Sequence, residues 1–103
     1  MSISVVFSSR GADQILEIEI WWRTNRPALA ERFTVELDSS LDLLERYPLA
    51  GHVHPNRQVK GARKLLMTET SHYLYYTYDS GAAQIEVIAV WSTHHRRGPK
   101  LTP

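Results

Sequence analysis

Three β-type runs in the second half of the chain constrain the fold most. They cover residues 62–69, 72–78 and 84–91, and each is rich in Tyr, Val, Ile or Leu. Short polar connections separate them, and Asp79-Ser80-Gly81 has the composition of a hairpin turn. Consecutive strands joined by tight turns pair antiparallel, so the pattern predicts a three-stranded antiparallel sheet.

The first half of the chain predicts a strand followed by two helices. Residues 3–7 are apolar and β-branched, which favours a short strand. Ile15, Ile18 and Trp22 recur at helical spacing and predict a helix over residues 10–24. The alternation of Leu16, Ile18 and Ile20 would also suit a strand.

Pro27 breaks the first helix and begins a second one over residues 27–46. The second helix has a continuous apolar stripe, with most of its charged residues, Glu36 among them, off that stripe. The stripe consists of Leu29, Phe33, Leu37, Leu41 and Leu44. The short connection predicts an antiparallel helix hairpin.

The elements together predict one α+β domain over residues 1–103, with the helix hairpin on one face of the sheet. Residues 47–61 contain proline, glycine and several cations without periodicity, so we expect a surface loop there. The N-terminal strand is expected to join the sheet at an edge or beside the last strand. Residues 92–103 form a basic tail.

Charge is divided unevenly along the chain. Residues 1–50 carry a net charge of −3, whereas residues 51–103 carry +4 and all five histidines. This polarity indicates a cationic surface that meets a negatively charged partner, although a merely solvated basic loop and tail would look the same.

Several classes of protein lack support in the sequence. The chain has no cysteine, so disulfides are excluded and a reducing cytoplasm is the expected compartment. We expect no signal peptide and no membrane span. Phosphate-loop, nucleophile-elbow and zinc-protease motifs are missing. The pairs His52/His54 and His94/His95 are weak metal ligand sets, and we predict neither a native metal site nor a cofactor.

Aromatic residues cluster at two places. Trp21 and Trp22 lie about 100° apart on a helix, so one can enter the core while the other anchors a partner at the rim; both could equally be core. Period-two geometry puts Tyr73 and Tyr75 on one face of a strand and Tyr76 and Tyr78 on the other. One of these tyrosines, near Arg63 and His94, could stack a nucleobase.

Nearly the full chain resembles the ParE/RelE superfamily of toxins from bacterial type II toxin–antitoxin modules. The resemblance rests on the order of the elements and on the order and spacing of short phrases. These phrases are IEIWWRTNRP (18–27), LERYPLAG (44–51), GARKL (61–65), YLYY (73–76) and IAVW (88–91) ahead of RRGP (96–99). None of them is diagnostic by itself.

The branch of the superfamily determines the implied function. RelE-like members are similar to ribonucleases that cut mRNA in the ribosome, whereas ParE-like members are similar to inhibitors of DNA gyrase. RelE-type sequences commonly read Arg-Leu-x-Tyr at the start of the middle strand, and this chain has Tyr73 in place of that arginine. An arginine there would stabilise the charge of the transition state.

The missing arginine and the double tryptophan favour a ParE-like, non-enzymatic gyrase inhibitor of the plasmid-stabilisation type. Its expected target-binding residues are Arg96, Arg97 and Lys100. The alternative is a RelE-like ribosome-dependent endoribonuclease, because imidazole titrates near neutral pH and suits general acid–base cleavage. The catalytic residues of that alternative are Arg63, Tyr73, His94 and His95.

Either branch implies a cytoplasmic hetero-oligomer with a cognate antitoxin. We expect the antitoxin to place apolar anchors in a groove between the helix hairpin and the sheet, with acidic flanks beside the basic half of the chain. The expected antitoxin-binding residues are Trp21, Trp22, Arg57, Lys60, Arg63 and Lys64.

Overall fold

A computed structural model describes residues 2–103 of the chain. Strand β1 (Ser4–Phe7) leads into helix α1 (Ser9–Asn25), and a single 3-10 turn (Pro27–Leu29) precedes helix α2 (Arg32–Arg46). The remaining strands are β2 (His52–Val53), β3 (Arg63–Met67), β4 (His72–Asp79) and β5 (Gln84–Ser92). No helix within residues 2–103 is long and apolar enough to cross a membrane.

The five strands form one sheet in the order β1-β5-β4-β3-β2. The predicted antiparallel pairing of β3, β4 and β5 is confirmed. β1 lies at an edge and beside the last strand, where it runs parallel to β5 with Ser4 opposite Gln84. β2 is the one strand that the sequence did not predict, and its two residues pair antiparallel with Arg63 and Lys64.

The ends of the helices follow from local chemistry. The Ser8 hydroxyl accepts a hydrogen bond from the Gly11 backbone N–H at 3.0 Å and caps α1. Gly11 itself lies so close to the sheet that a Cβ there would be 2.7 Å from the Val87 carbonyl oxygen. The prediction that Pro27 begins a continuous helix is wrong, because residues 27–29 form only a 3-10 turn and Leu29 remains 41% exposed.

One face of the sheet holds the main core. The helices cover it with the apolar stripe of α2 and the inner face of α1, to which Ile15, Ile18 and Trp22 belong. The buried members of this core are Phe33, Leu37, Leu44, Met67, Leu74, Tyr76, Ile85, Val87 and Val90.

A second, smaller core covers the other face of the sheet. It consists of Val59 and Ala62 from the loop ahead of β3, Tyr75 from β4, Ile88 and Ala89 from β5, and Leu101 from the tail. Leu101 is only 1% exposed, so the tail folds back over the sheet instead of extending into solvent.

A β-bulge between β4 and β5 changes the phase of β5. Tyr75 pairs with Ala89 and Tyr76 with Val87, which leaves Ile88 as the extra residue. Before the bulge Val87 faces the helices, and after it Val90 does. Trp91 therefore packs on the opposite face, against the second core.

Glu36 is buried, in contrast to its predicted place off the apolar stripe. Its carboxylate accepts hydrogen bonds from the backbone N–H of Glu69 at 2.7 Å and from the N–H and hydroxyl of Thr70 at 2.9 and 2.6 Å. These three bonds attach the turn between β3 and β4 to α2, and they compensate for removing the charge from water.

We predict that Glu36→Gln lowers the free energy of unfolding by about 2 kcal/mol, since hydrogen bonds to a charged group contribute about 1.5–3 kcal/mol. Urea denaturation followed by circular dichroism measures the loss. Glu45→Gln at an exposed position of the same helix is the matched control, and equal stabilities of the two variants would contradict the prediction.

Candidate functional site

A cleft of about 200 Å³ opens on the face of the sheet that carries the smaller core. It is lined by His54, Lys64, Tyr73, Tyr75, Trp91, Ser92, Thr93, His95, Arg97 and Gly98. Strands β3, β4 and β5 supply the floor, while the tail and the residue after β2 supply the walls. Among residues 2–103, no acidic side chain lines this cleft.

Two cationic residues line the cleft, Lys64 from β3 and Arg97 from the tail. Lys64 places its ammonium 4.5 Å from the centroid of the Tyr73 ring, a cation–π contact that holds the side chain over the floor. Arg97 belongs to the tail, and its backbone carbonyl accepts a 2.7 Å hydrogen bond from the Trp91 indole N–H. The cleft is thus suited to a phosphate or another anion.

Two histidines also line the cleft. The ring of His95 lies 4.5 Å from that of Trp91 with an angle of 34° between their planes. His54 meets Tyr75 edge to face at 5.1 Å. Burial, and secondarily the charge of Lys64, lowers the pKa of His54 below the ordinary value of 6.5. His54 is therefore mostly uncharged at neutral pH.

The tyrosines alternate as the sequence predicted. Tyr73 and Tyr75 lie together on the cleft face, with ring centroids 6.2 Å apart. Burial and then the neighbouring Tyr73 raise the pKa of Tyr75, so its phenol keeps its proton. Tyr76 and Tyr78 contribute to the core under the helices.

The structure separates the residues of the predicted catalytic set. Tyr73 and His95 meet in the cleft, whereas Arg63 and His94 do not line it. Arg63 lies opposite Tyr76 on the helix side of the sheet, and its guanidinium donates to the carbonyls of Gly51 at 2.9 Å and Leu49 at 3.4 Å. Lys64, the next residue in the chain, lines the cleft in place of the predicted Arg63.

The predicted target-binding residues are also divided. Arg97 lines the cleft, while Arg96 and Lys100 are exposed outside it. The backbone of Lys100 is nevertheless fixed, because its carbonyl accepts a 3.0 Å hydrogen bond from the Arg10 guanidinium.

The residues predicted to bind an antitoxin do not form one groove. Trp22 packs against the core under the helices and Trp21 is 50% exposed, with their rings perpendicular at 5.5 Å. Lys64 lies on the opposite face of the sheet, and Arg57 and Lys60 are exposed in the loop ahead of β3. Trp21 and the cations therefore present separate surfaces.

The sequence did not predict that His54, Tyr75 and Trp91 line the cleft. It predicted Lys64 as an antitoxin-binding residue instead. The alternation His52-Val53-His54 was a usable signal for His54, because two imidazoles at period two point to one side of a strand. Trp91 had no such signal, since its direction depends on the bulge at Ile88.

Comparison with solved structures assigns the fold. The structure of the chromosomal ParDE TA system from P. aeruginosa matches with a TM-score of 0.69 at 14% identity, over 87% of this chain and 95% of that one. The intact E. coli RelBE toxin–antitoxin complex matches with a TM-score of 0.59 at 16% identity, over 90% and 99%. The YoeB/ParE toxin from Agrobacterium tumefaciens matches with a TM-score of 0.56 at 18% identity, over 89% and 100%.

The chain thus has the fold of the ParE and RelE toxins, as the resemblance predicted. No model of a protein family matches the chain, and no curated protein is significantly similar to it.

We predict that Lys64→Gln raises the pKa of His54 toward 6.5 without reaching it, because burial is the larger cause of the depression and remains in the variant. Titration of the His54 imidazole protons by NMR measures the shift. Lys60→Gln, which changes an exposed lysine in the nearby loop, should leave the midpoint where it is. An unchanged midpoint in Lys64→Gln would contradict the prediction.

Proposed function

We propose that the chain is the toxin of a type II toxin–antitoxin module, held inactive by a cognate antitoxin in a cytoplasmic hetero-oligomer. The proposal is supported by the fold, which is shared with structures described as toxin–antitoxin proteins. It is also supported by the cleft, which concentrates cationic, imidazole and aromatic groups on one face of the sheet.

The geometry of the cleft best supports cleavage of ribosome-bound mRNA. The observation behind this choice is that His54 and His95 line the same 200 Å³ cleft as Lys64 and Arg97. Two imidazoles supply a base and an acid, two cations hold a phosphate, and the aromatic rings offer stacking surfaces for bases. The sequence alone favoured inhibition of DNA gyrase, because it did not reveal that these side chains line one cleft.

Inhibition of DNA gyrase is the second candidate. It is supported by the higher TM-score to the ParDE structure, 0.69 against 0.59 for RelBE. The chain also lacks the arginine that RelE-type sequences have at the start of the middle strand. His72, the first residue of β4, does not replace it in the cleft, because His72 is buried under the helices with its ring 5.4 Å from that of Phe33. In this alternative, exposed Arg96 and Lys100 contribute contacts to gyrase together with Arg97.

We predict that the double variant Lys64→Ala/Arg97→Ala reduces the rate of mRNA cutting on programmed ribosomes at least tenfold, because both cations of the cleft are lost. Primer extension on translated mRNA measures the cuts. Arg96→Ala/Lys100→Ala, which removes the same amount of charge outside the cleft, should cut at the rate of the parent protein.

The same purified proteins should be tested with gyrase and supercoiled DNA. Codon-specific cuts by the parent protein would exclude the purely gyrase-directed function. If ribosomes stay uncut while cleaved gyrase–DNA complexes accumulate, and the Arg96→Ala/Lys100→Ala variant loses that effect, the second candidate is correct.

For the antitoxin, we predict that Trp21→Ala weakens the complex by at least about 2 kcal/mol, as expected for an exposed aromatic anchor. Trp22→Ala should instead lower the stability of the free toxin, because Trp22 packs against the core. Isothermal calorimetry and thermal unfolding distinguish the two effects. Unchanged affinity of Trp21→Ala would place the antitoxin interface on another surface.

A further inference from the structure

His54 occupies a fixed and partly buried position at the wall of the cleft. Its backbone N–H donates a 2.8 Å hydrogen bond to the Ala62 carbonyl, which extends the β2–β3 pairing by one residue. Its ring contacts Tyr75 edge to face at 5.1 Å. A side chain held by both backbone and ring contacts is preorganised for proton transfer.

The charge of Lys64 disfavours a second positive charge at His54. The charged and titratable residues that line the cleft with His54 are Lys64 from β3, Tyr73 and Tyr75 from β4, and His95 and Arg97 from the tail. Burial and Lys64 together keep the pKa of His54 low, so its imidazole retains a free lone pair at neutral pH. The cleft contains no acidic side chain, within residues 2–103, that could act as the base instead.

From this geometry we infer that His54 is the general base of the cleft, a role that rests on the proposed cleavage of RNA. His54 takes the proton of the ribose 2′-hydroxyl while the 2′-oxygen forms a bond to the adjacent phosphorus. The bond between phosphorus and the 5′-oxygen breaks, and His95 gives its proton to that oxygen. The products are a 2′,3′-cyclic phosphate and a 5′-hydroxyl, with no change of oxidation state.

The other groups of the cleft suit different tasks. Lys64 and Arg97 are cations that hold the phosphate, and the phenol of Tyr75 keeps its proton because burial raises its pKa. His94 does not line the cleft, and its backbone N–H is bound to the Ser92 hydroxyl at 3.1 Å. His54 and His95 are thus distinguished from His94, which the sequence placed in the catalytic set.

The decisive measurement is the pH dependence of mRNA cutting on programmed ribosomes, under single turnover with the full chain in excess. The parent rate should rise about tenfold per pH unit below the depressed pKa of His54, because only the uncharged imidazole accepts a proton, and it should fall again at high pH, where His95 has lost the proton that it donates. His54→Gln should reduce the maximal rate by about 10²–10⁴-fold and abolish the acidic limb.

His52→Gln is the matched control, since His52 lies on β2, two residues before His54, and does not line the cleft. It should preserve both the rate and the acidic limb. Lys64→Gln keeps the base but removes its charged neighbour, so its acidic limb should move to higher pH. This shift distinguishes a proton acceptor from a histidine that only supports the fold.

An NMR titration with uridine 3′-monophosphate gives a readout that does not depend on ribosomes. A phosphate bound beside His54 opposes the effect of Lys64 and should raise the titration midpoint of the imidazole by about one pH unit. His52 should not respond.

The outcomes separate the two proposals. If the parent protein leaves ribosome-bound mRNA intact, the proposed ribonuclease function fails and the role of His54 fails with it. If the parent cuts mRNA and His54→Gln keeps its rate and its acidic limb, the role of His54 alone is wrong. A midpoint that does not move with the nucleotide would likewise overturn the placement of the phosphate beside His54.

Discussion

The buried carboxylate of Glu36 is the constraint on which the arrangement of the cleft depends. It binds the backbone of Glu69 and Thr70 from the helix side of the sheet, and so determines where the β3–β4 turn lies. The next residue in that turn, Ser71, accepts a 2.9 Å hydrogen bond from the Thr93 N–H at the start of the tail. A single charge under the helices therefore positions both the strands and the tail of the opposite face.

The polar network around Glu36 extends one residue further. The Thr70 hydroxyl donates to Glu36, and Nδ1 of the buried His72 lies 3.3 Å from the same hydroxyl oxygen. Burial lowers the pKa of His72, while Thr70 and Glu36 partly offset that effect. The uncharged imidazole with a proton on Nδ1 can complete this chain of hydrogen bonds.

Trp91 connects the sheet to the tail because of the bulge at Ile88. Without the extra residue, the alternation of β5 would direct Trp91 toward the helices. On the cleft side its indole binds the Arg97 carbonyl, and its ring contacts His95. The β-bulge at Ile88 thus determines where His95 and Arg97 of the tail lie in the cleft.

The sequence predicted those features that depend on local periodicity. The helix pair, the three antiparallel strands and the alternation of Tyr73 and Tyr75 with Tyr76 and Tyr78 all follow from spacing. The burial of Glu36 could not be predicted, because its partners are backbone groups 33 and 34 residues away. A two-residue strand such as β2 also gives no periodic signal.

The site was predicted in part for the same reason. Tyr73, His95 and Arg97 were recognised from their residue types, whereas the choice between Arg63 and Lys64 depends on which face of β3 each occupies. Pairing places Arg63 opposite the core residue Tyr76 and Lys64 opposite Tyr75. That register is a tertiary property, and adjacent cations in a sequence do not reveal it.

The parallel pairing of β1 with β5 has a consequence for how fast the molecule acquires its structure. Ser4 and Gln84 are 80 residues apart in the chain. The pairing of β1 with β5 therefore requires that the whole intervening segment bring the two strands together. Contacts of such high sequence separation slow folding relative to helical proteins, whose contacts are mostly local. During that interval the apolar edge of β5 is unpaired, and any neighbouring extended segment competes with β1 for it.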